Sequence, residues 1–464
     1  MAAIATAFVV SRVALHAAGV TFEDGLFPGF WHSVDVPLLK ADLARSILYL
    51  HAQPPLMNLG AGLVFKAFGD SATWVFPALF QAGGLGLALT LWRLQESLGV
   101  PRELAVAGAI AFAVSPASLL YENFLFYTYP VTAMLCGSAW LLHRAMEKGR
   151  SRDWLVFFGV LAAVVLTRSL FHLAWLLACL AACVSLRPGH ASRILKAASV
   201  PVLVVLLVHA KNQILFGGFS TSSWLGMSLG RMTTDRMDPA LRARWIREGY
   251  LSPIAAIRPY RPIGDYEAVI GAPSPTGVPV LDLPAKSTGE LNLHHGAYVE
   301  VSRRFLQDAV KVIVRSPGEY LRNVRTALRR YFDPATDYHP LNRNRARIRP
   351  WEELGSRIFR PGFLAAAVAL AMGLALLAGL GGAGTPASRA VLLFMGATIL
   401  YVTATGTALE IGENNRFRFM IEPFVLTIGA LGAARALDRL RAAVQESQEI
   451  GSERVGHEDR PERA

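Results

Sequence analysis

Residues 153–186 read DWLVFFGVLAAVVLTRSLFHLAWLLACLAACVSL. Two apolar runs, 153–167 and 170–186, are split by Thr167-Arg168-Ser169. The pair predicts either a tight helical hairpin or one bent unit. A membrane-spanning helix needs about 20 mostly apolar residues. Working outward from this stretch, comparable runs occur at 2–19, 72–92, 103–120, 128–143, 197–215, 362–380, 388–406 and 419–436. They predict an all-α multispan membrane protein with about ten transmembrane helices.

Composition agrees: of 464 residues, 53% are hydrophobic and 17% charged, against roughly 25% charged in soluble domains. This excludes a disordered chain, a collagen-like chain and a disulfide scaffold. Cys136, Cys179 and Cys183 all lie in apolar runs and are read as packing residues. The net charge of +12 does not indicate nucleic acid, because the basic residues are parcelled into membrane loops.

Lys and Arg in short loops set orientation. Arg93 and Arg102, then Arg144, Lys148, Arg150 and Arg152, then Arg187, Arg193 and Lys196 fall on one side, as do Arg435, Arg439 and Arg441. That side is read as cytoplasmic. Residues 20–71, 120–127, 216–361 and 407–418 then face outward. The first run lacks a basic leader and a small-residue cleavage site, so 2–19 is read as a retained span. The domain organisation expected is an N-terminal transmembrane module (1–215) containing the outward loop 20–71, an extracytoplasmic region (216–361), C-terminal transmembrane helices (362–436) and a disordered cytoplasmic tail (437–464).

The outward segments hold the polar chemistry. In the first, Leu38, Leu39, Leu43, Ile47 and Leu48 predict an interfacial helix over 36–50, broken by His51-Ala52-Gln53-Pro54-Pro55. Its carboxylates are Asp24, Asp35 and Asp42. Asp35, before Val36-Pro37, suits a helix N-cap and a catalytic role equally. In the second, Glu122 stands among aromatic rings in YENFLFYTYP, where a carboxylate should face a cavity or a partner. Arg168 and His172 are spaced to share a helix face and read as an anion site. The last outward loop gathers Glu410, Glu413, Asn414, Asn415, Arg416, Arg418 and Glu422, with guanidinium forks suited to phosphate. Residues 298–333 predict two amphipathic helices broken at Ser316-Pro317-Gly318, with Arg322, Arg325, Arg329 and Arg330 on a face for anionic lipid headgroups. His294-His295 has no neighbouring carboxylate motif, and no metal site is expected. Patterns for nucleotide hydrolysis, zinc proteolysis and serine triads are absent from the sequence.

An outward loop ending in HAQPPL, the YEN loop after the third span, LTRSLFH and a terminal ENNRFRFMIEP, in this order and on one side, resemble the C-type integral membrane glycosyltransferases. The branch related to protein mannosyltransferases and lipid A aminoarabinose transferase is the most similar. The resemblance implies an inverting transfer from a polyprenyl-phosphate sugar donor to a lipid, glycan or protein acceptor. The reaction would take place on the outer face of a bacterial inner membrane, among membrane lipids and with no nucleic acid. By it, Asp35 or Asp24 is the general base and Glu122 the second acidic position. Arg416, Arg418, Arg168 and His172 lie near the donor phosphate. His51, Gln53, Tyr121, Asn123, Glu413 and Asn415 are expected to contact substrate. A divalent ion, Mg or Mn, is optional in that superfamily. The rival reading is a flippase or exporter that binds the same lipid without covalent transfer.

Overall fold

The computed structural model describes residues 1–358, 361–381 and 384–458. The described chain is all-helical, with 74% of residues in helix and no strand. Apolar helices form at every predicted run, but their lengths differ. Four segments are long and apolar enough to cross a membrane: Leu56–Ser97, Pro188–Phe216, Gly362–Gly379 and Pro386–Leu409. A fifth is reached if Arg102–Ala113 and Pro116–Glu122, bent by 56°, count as one span. The expectation of about ten is therefore met in part, for identifiable reasons. Ala2–Ala17, Ser151–Thr167 and Leu173–Leu186 have 16, 17 and 14 residues. At 1.5 Å rise each, such helices reach only about 21–26 Å, short of a hydrocarbon core near 30 Å. Thr128–Lys148 is long enough but ends in HRAMEK.

The stretch 153–186 resolves into two helices, Ser151–Thr167 and Leu173–Leu186, with residues 168–172 non-helical between them. Ser151–Thr167 is the packed centre: Trp154, Phe157 and Phe158 are buried, and it lies against Thr128–Lys148 and Ala191–Phe216. Pro386–Leu409 packs on Thr128–Lys148 and on Pro361–Leu380. Large apolar side chains that remain exposed, including Val9, Val13, Trp74, Leu203, Leu207, Ile214 and Leu377, lie on these helices, as lipid-facing surfaces require.

Three local differences from the sequence expectation have physical causes. The interfacial helix over 36–50 is two short helices, Val36–Ala41 and Leu43–Leu48, because Asp42 between them leaves the helical region at φ −135°, ψ 57°. Leu56–Phe68 continues through a 3₁₀ turn into Ala72–Ser97, so the polar loop closes earlier than residue 71. The final helix runs from Glu422 to Glu458, where a disordered tail was expected. The run ARALDRLRAAVQESQE is made of strong helix formers and carries an Arg441–Asp438 pair one turn apart. Residues 459–464 lie outside the described residues.

Residues 216–358 form short helices and loops around two longer helices, Tyr298–Arg315 and Pro317–Tyr331, which break at Ser316. Leu225–Met232 docks against Tyr298–Arg315, and its Gly226 makes the approach possible. A Cβ there would collide with the Ser302 carbonyl, and backbone cannot move aside cheaply. Gly226→Ala is expected to destabilise this region by about 2 kcal/mol or more, read as a lower thermal midpoint of the purified protein; an unchanged midpoint would remove that role.

Candidate functional site

The first polar loop is stitched to distant segments by buried polar contacts. Asn58, on the Leu56–Phe68 helix, accepts from the Val34 N–H at 2.8 Å and donates to the His32 carbonyl at 3.0 Å. The Lys286 ammonium donates to the carbonyls of Pro28 and Phe30 and to Ser33 Oγ. Burial pulls Lys286 down to about 8, with Asp35 and Glu290 opposing. His51 bridges Ser223 Oγ at 2.8 Å and the His294 carbonyl at 3.0 Å, while Ser222 Oγ donates to the Ala52 carbonyl. The proline turn 51–55 thus clamps residues 220–224 and 294 around the loop, and the clamp presents Trp31 and His32 inward.

They face a cavity of about 400 Å³. One wall is aromatic: Trp31 stacks on Tyr260 with ring centres 5.2 Å apart and 18° between planes, and Trp224 meets Tyr260 edge-on at 5.5 Å. Tyr260 has φ +61°, the one positive φ outside glycine among the described residues. For a bulky side chain this conformation is a true outlier costing about 1–3 kcal/mol, and its ring lines the cavity.

A cationic group lies beside this aromatic wall. Arg168 is only 8% exposed and lines the cavity. Its guanidinium lies over Tyr127 and Phe417 at 4.7 and 5.1 Å, and Nη1 approaches His32 Nε2 at 3.4 Å. Its buried Nε lacks a hydrogen-bond partner, and among the described residues no carboxylate forms an ion pair with it. His32 adds no charge, because burial foremost, and then Arg168 and Arg416, hold it well below the usual imidazole range.

Two carboxylates complete the lining, Glu410 and Glu413. Glu410 accepts from Arg231 Nη1 at 3.1 Å, from Ser228 Oγ at 3.3 Å and from the Ile411 N–H at 3.1 Å. Ser228 is in turn 2.9 Å from the Tyr260 hydroxyl. Glu413 pairs with Arg416, which is 1% exposed and also donates to the Tyr127 hydroxyl at 2.7 Å. Three guanidinium groups, Arg168, Arg231 and Arg416, face two carboxylates. One positive charge is left over, and the buried Arg168 is the guanidinium with no carboxylate at ion-pair distance among the described residues; Glu410 acts on it only from farther away.

Of the residues singled out in the sequence, Arg168, His172, Gln53, Glu410 and Glu413 line this cavity, and Arg416 stands behind Glu413. Arg168 and His172 meet there across the non-helical turn, not along one helix face. His172 caps the Leu173–Leu186 helix by accepting from the Ala174 N–H. The others are placed elsewhere. Asp35 occupies an N-cap position, but its carboxylate accepts from the Ser287 N–H at 2.9 Å and hydroxyl at 2.7 Å. Asp24, half-buried, is outside the lining. Glu122 is locked to Arg12 and Tyr129. Arg418 holds the carbonyls of Tyr331 and Asp333 and pairs with Glu422. Asn415 straps Pro334 and Asp337, Tyr121 reaches the Ala335 carbonyl, and Asn123 bonds within its own turn. His51 serves in the clamp.

Trp31, His32, Ser228, Arg231 and Tyr260 were not singled out in the sequence. Trp31 and Tyr260 lie in loop sequence with no periodicity to mark them. Among the described residues no three His, Cys, Asp or Glu side chains gather as a metal-binding set. The cavity's own carboxylates are each engaged by a guanidinium that a divalent ion would have to displace, so the Mg or Mn option does not fit this donor set. Comparison of the chain with protein-family models, with curated proteins and with solved structures finds no match.

Proposed function

We propose that the protein is an inverting glycosyltransferase that moves a sugar from a polyprenyl-phosphate donor to a hydroxyl of a lipid, glycan or protein acceptor. In this reading the shorter apolar helices join the four long ones to give about ten spans of a bacterial inner membrane, and the cavity opens on the outer face. The observation that carries the reading is the unpaired, buried Arg168 guanidinium beside an aromatic platform. A buried charge without a partner is costly, and an anionic ligand relieves that cost. The phosphodiester of a lipid-linked sugar bears one negative charge, matching the one surplus positive charge of the site. The Trp31–Tyr260 pair offers a flat apolar face for a sugar ring, and a cavity of about 400 Å³ falls within the usual range of about 300–1,000 Å³ for small-ligand sites.

The chemistry follows from the same groups. As the anomeric carbon–oxygen bond breaks, negative charge grows on the departing phosphate, and a preorganised guanidinium stabilises that charge at no reorganisation cost. Attack from the face opposite the phosphate inverts the anomeric centre, by the logic of inverting glycosidases.

The test is incubation of the purified protein in lipid nanodiscs with polyprenyl-phosphate mannose and polyprenyl-phosphate glucose, tritiated in the sugar, and membrane lipid extract as acceptor source. Transfer of label with release of polyprenyl phosphate is expected. Transbilayer movement of intact donor without release, read in sealed proteoliposomes, would instead establish the exporter.

A further inference from the structure

The reaction needs a group to take the acceptor proton, and the loop aspartates Asp35 and Asp24 are not among the residues lining the cavity. We propose that Glu410 is the general base; this rests on the transferase reading above. The acceptor O–H proton passes to the Glu410 carboxylate as the acceptor oxygen bonds to the anomeric carbon. The carbon–oxygen bond to phosphate breaks with its electron pair on the phosphate, which leaves as polyprenyl phosphate.

Of the two cavity carboxylates, electrostatics favour Glu410. Protonating Glu413 would strand the guanidinium of Arg416, which is wholly buried and has Glu413 as its one ion-pair partner among the described residues. That is the uncompensated buried charge that proteins avoid. Protonating Glu410 leaves Arg231, whose side chain is 32% exposed, with water and the Ile411 carbonyl at 3.0 Å. Glu410 is also fixed in place: Ser228 and Arg231 hold its two oxygens, and the Tyr260 hydroxyl donates into Ser228. The strained backbone of Tyr260 is thereby tied to a function at this carboxylate. The charged and titratable groups acting on Glu410 are Arg231, Arg168, Glu413 and Tyr260. Burial is the foremost influence and raises its affinity for protons, Glu413 adds to this, and the two arginines oppose it. A carboxylate so tuned accepts a proton more readily near neutral pH than an exposed one.

The transfer assay above, run with Glu410→Gln, decides the matter. Loss of a general base lowers turnover by about 10²–10⁴-fold, so kcat is expected to fall by about a thousandfold. Polyprenyl phosphate binding, measured separately, should not weaken, because the variant removes a negative charge beside Arg231 and Arg168. Glu410→Asp keeps the charge beside Arg231 if the amide variant folds poorly. It is expected to reduce kcat with little change in the donor KM, and to retain a rate that rises with pH. Turnover of Glu410→Gln within a few-fold of wild type, or a Glu410→Asp kcat equal to wild type, overturns the assignment alone. No release by wild type overturns the transferase reading and this assignment with it.

Discussion

Arg168→Ala is expected to lower transfer by about two to three orders of magnitude, the loss typical of removing one preorganised donor from a developing oxyanion. The loss should appear both as weaker polyprenyl phosphate binding and as lower kcat. In the proposed transfer the guanidinium would meet the phosphate in the ground state and the departing charge more strongly in the transition state. Arg168→Lys should recover little. A lysine can place one charge in the pocket, but it cannot lie flat over Tyr127 and Phe417, and its compact ammonium is more strongly hydrated and costlier to bury. Stability should move the other way. Removing a buried charge that lacks a counter-charge relieves the empty protein, so Arg168→Ala is expected to melt no lower than wild type. Added polyprenyl phosphate should raise the melting temperature of wild type and leave the variant unmoved. A variant that melts lower, yet binds and turns over normally, would make Arg168 a structural residue.

How far the sequence reveals this site depends on the range of the interactions involved. Apolar runs locate the helices because hydrophobic patterning is local, and the break at Ser316-Pro317 is legible because proline acts on its immediate neighbours. Arg168 and His172 are legible as polar residues inside an apolar stretch. Their shared cavity, however, arises from a break in the helix after Thr167 that helical spacing does not foresee. The carboxylates are harder. Asp35 and Ser287 are 252 residues apart, so nothing near Asp35 shows that its carboxylate is bonded to Ser287 and lies outside the cavity lining. Glu410 is visible as one acid in a cluster of charges, but its selection over Glu413 rests on the burial of Arg416 against the exposure of Arg231, which is a tertiary property. Trp31 and Tyr260 come from two loops that meet beside Trp224 and Ser228, which contact Tyr260, and no periodicity in either loop reports that contact.

Glu122 shows the same point with an energetic consequence. Its resemblance to an acidic catalytic position competes with what the fold does with it. Arg12 Nε donates to Oε1 at 2.8 Å, Nη2 donates to Oε2, and the Tyr129 hydroxyl reaches Oε2 at 2.9 Å. The side chains are 8% and 0% exposed. Gly84 supplies the room, since a Cβ there would collide with the same carboxylate. Arg12 in turn donates to the Ala113 carbonyl at 3.0 Å, where the Arg102–Ala113 helix ends. The pair therefore fastens the first helix to the bend before Pro116. Taking either partner away leaves the other as a lone charge in an apolar interior, at a cost of about 3–5 kcal/mol. Polar groups freed inside a membrane recover part of such losses by finding other partners, which places the expected cost at the lower end, near about 3 kcal/mol. Arg12→Leu and Glu122→Leu should each lower the thermal midpoint sharply, while the double variant should regain most of the loss, because a well-packed apolar pair often matches a buried ion pair. The double-mutant cycle then shows a coupling of about 5 kcal/mol, because two single losses of about 3 kcal/mol shrink to about 1 kcal/mol in the double variant. Additive losses in the double variant would show that Arg12 and Glu122 are stabilised by their surroundings separately, and that the first helix is not held through this pair.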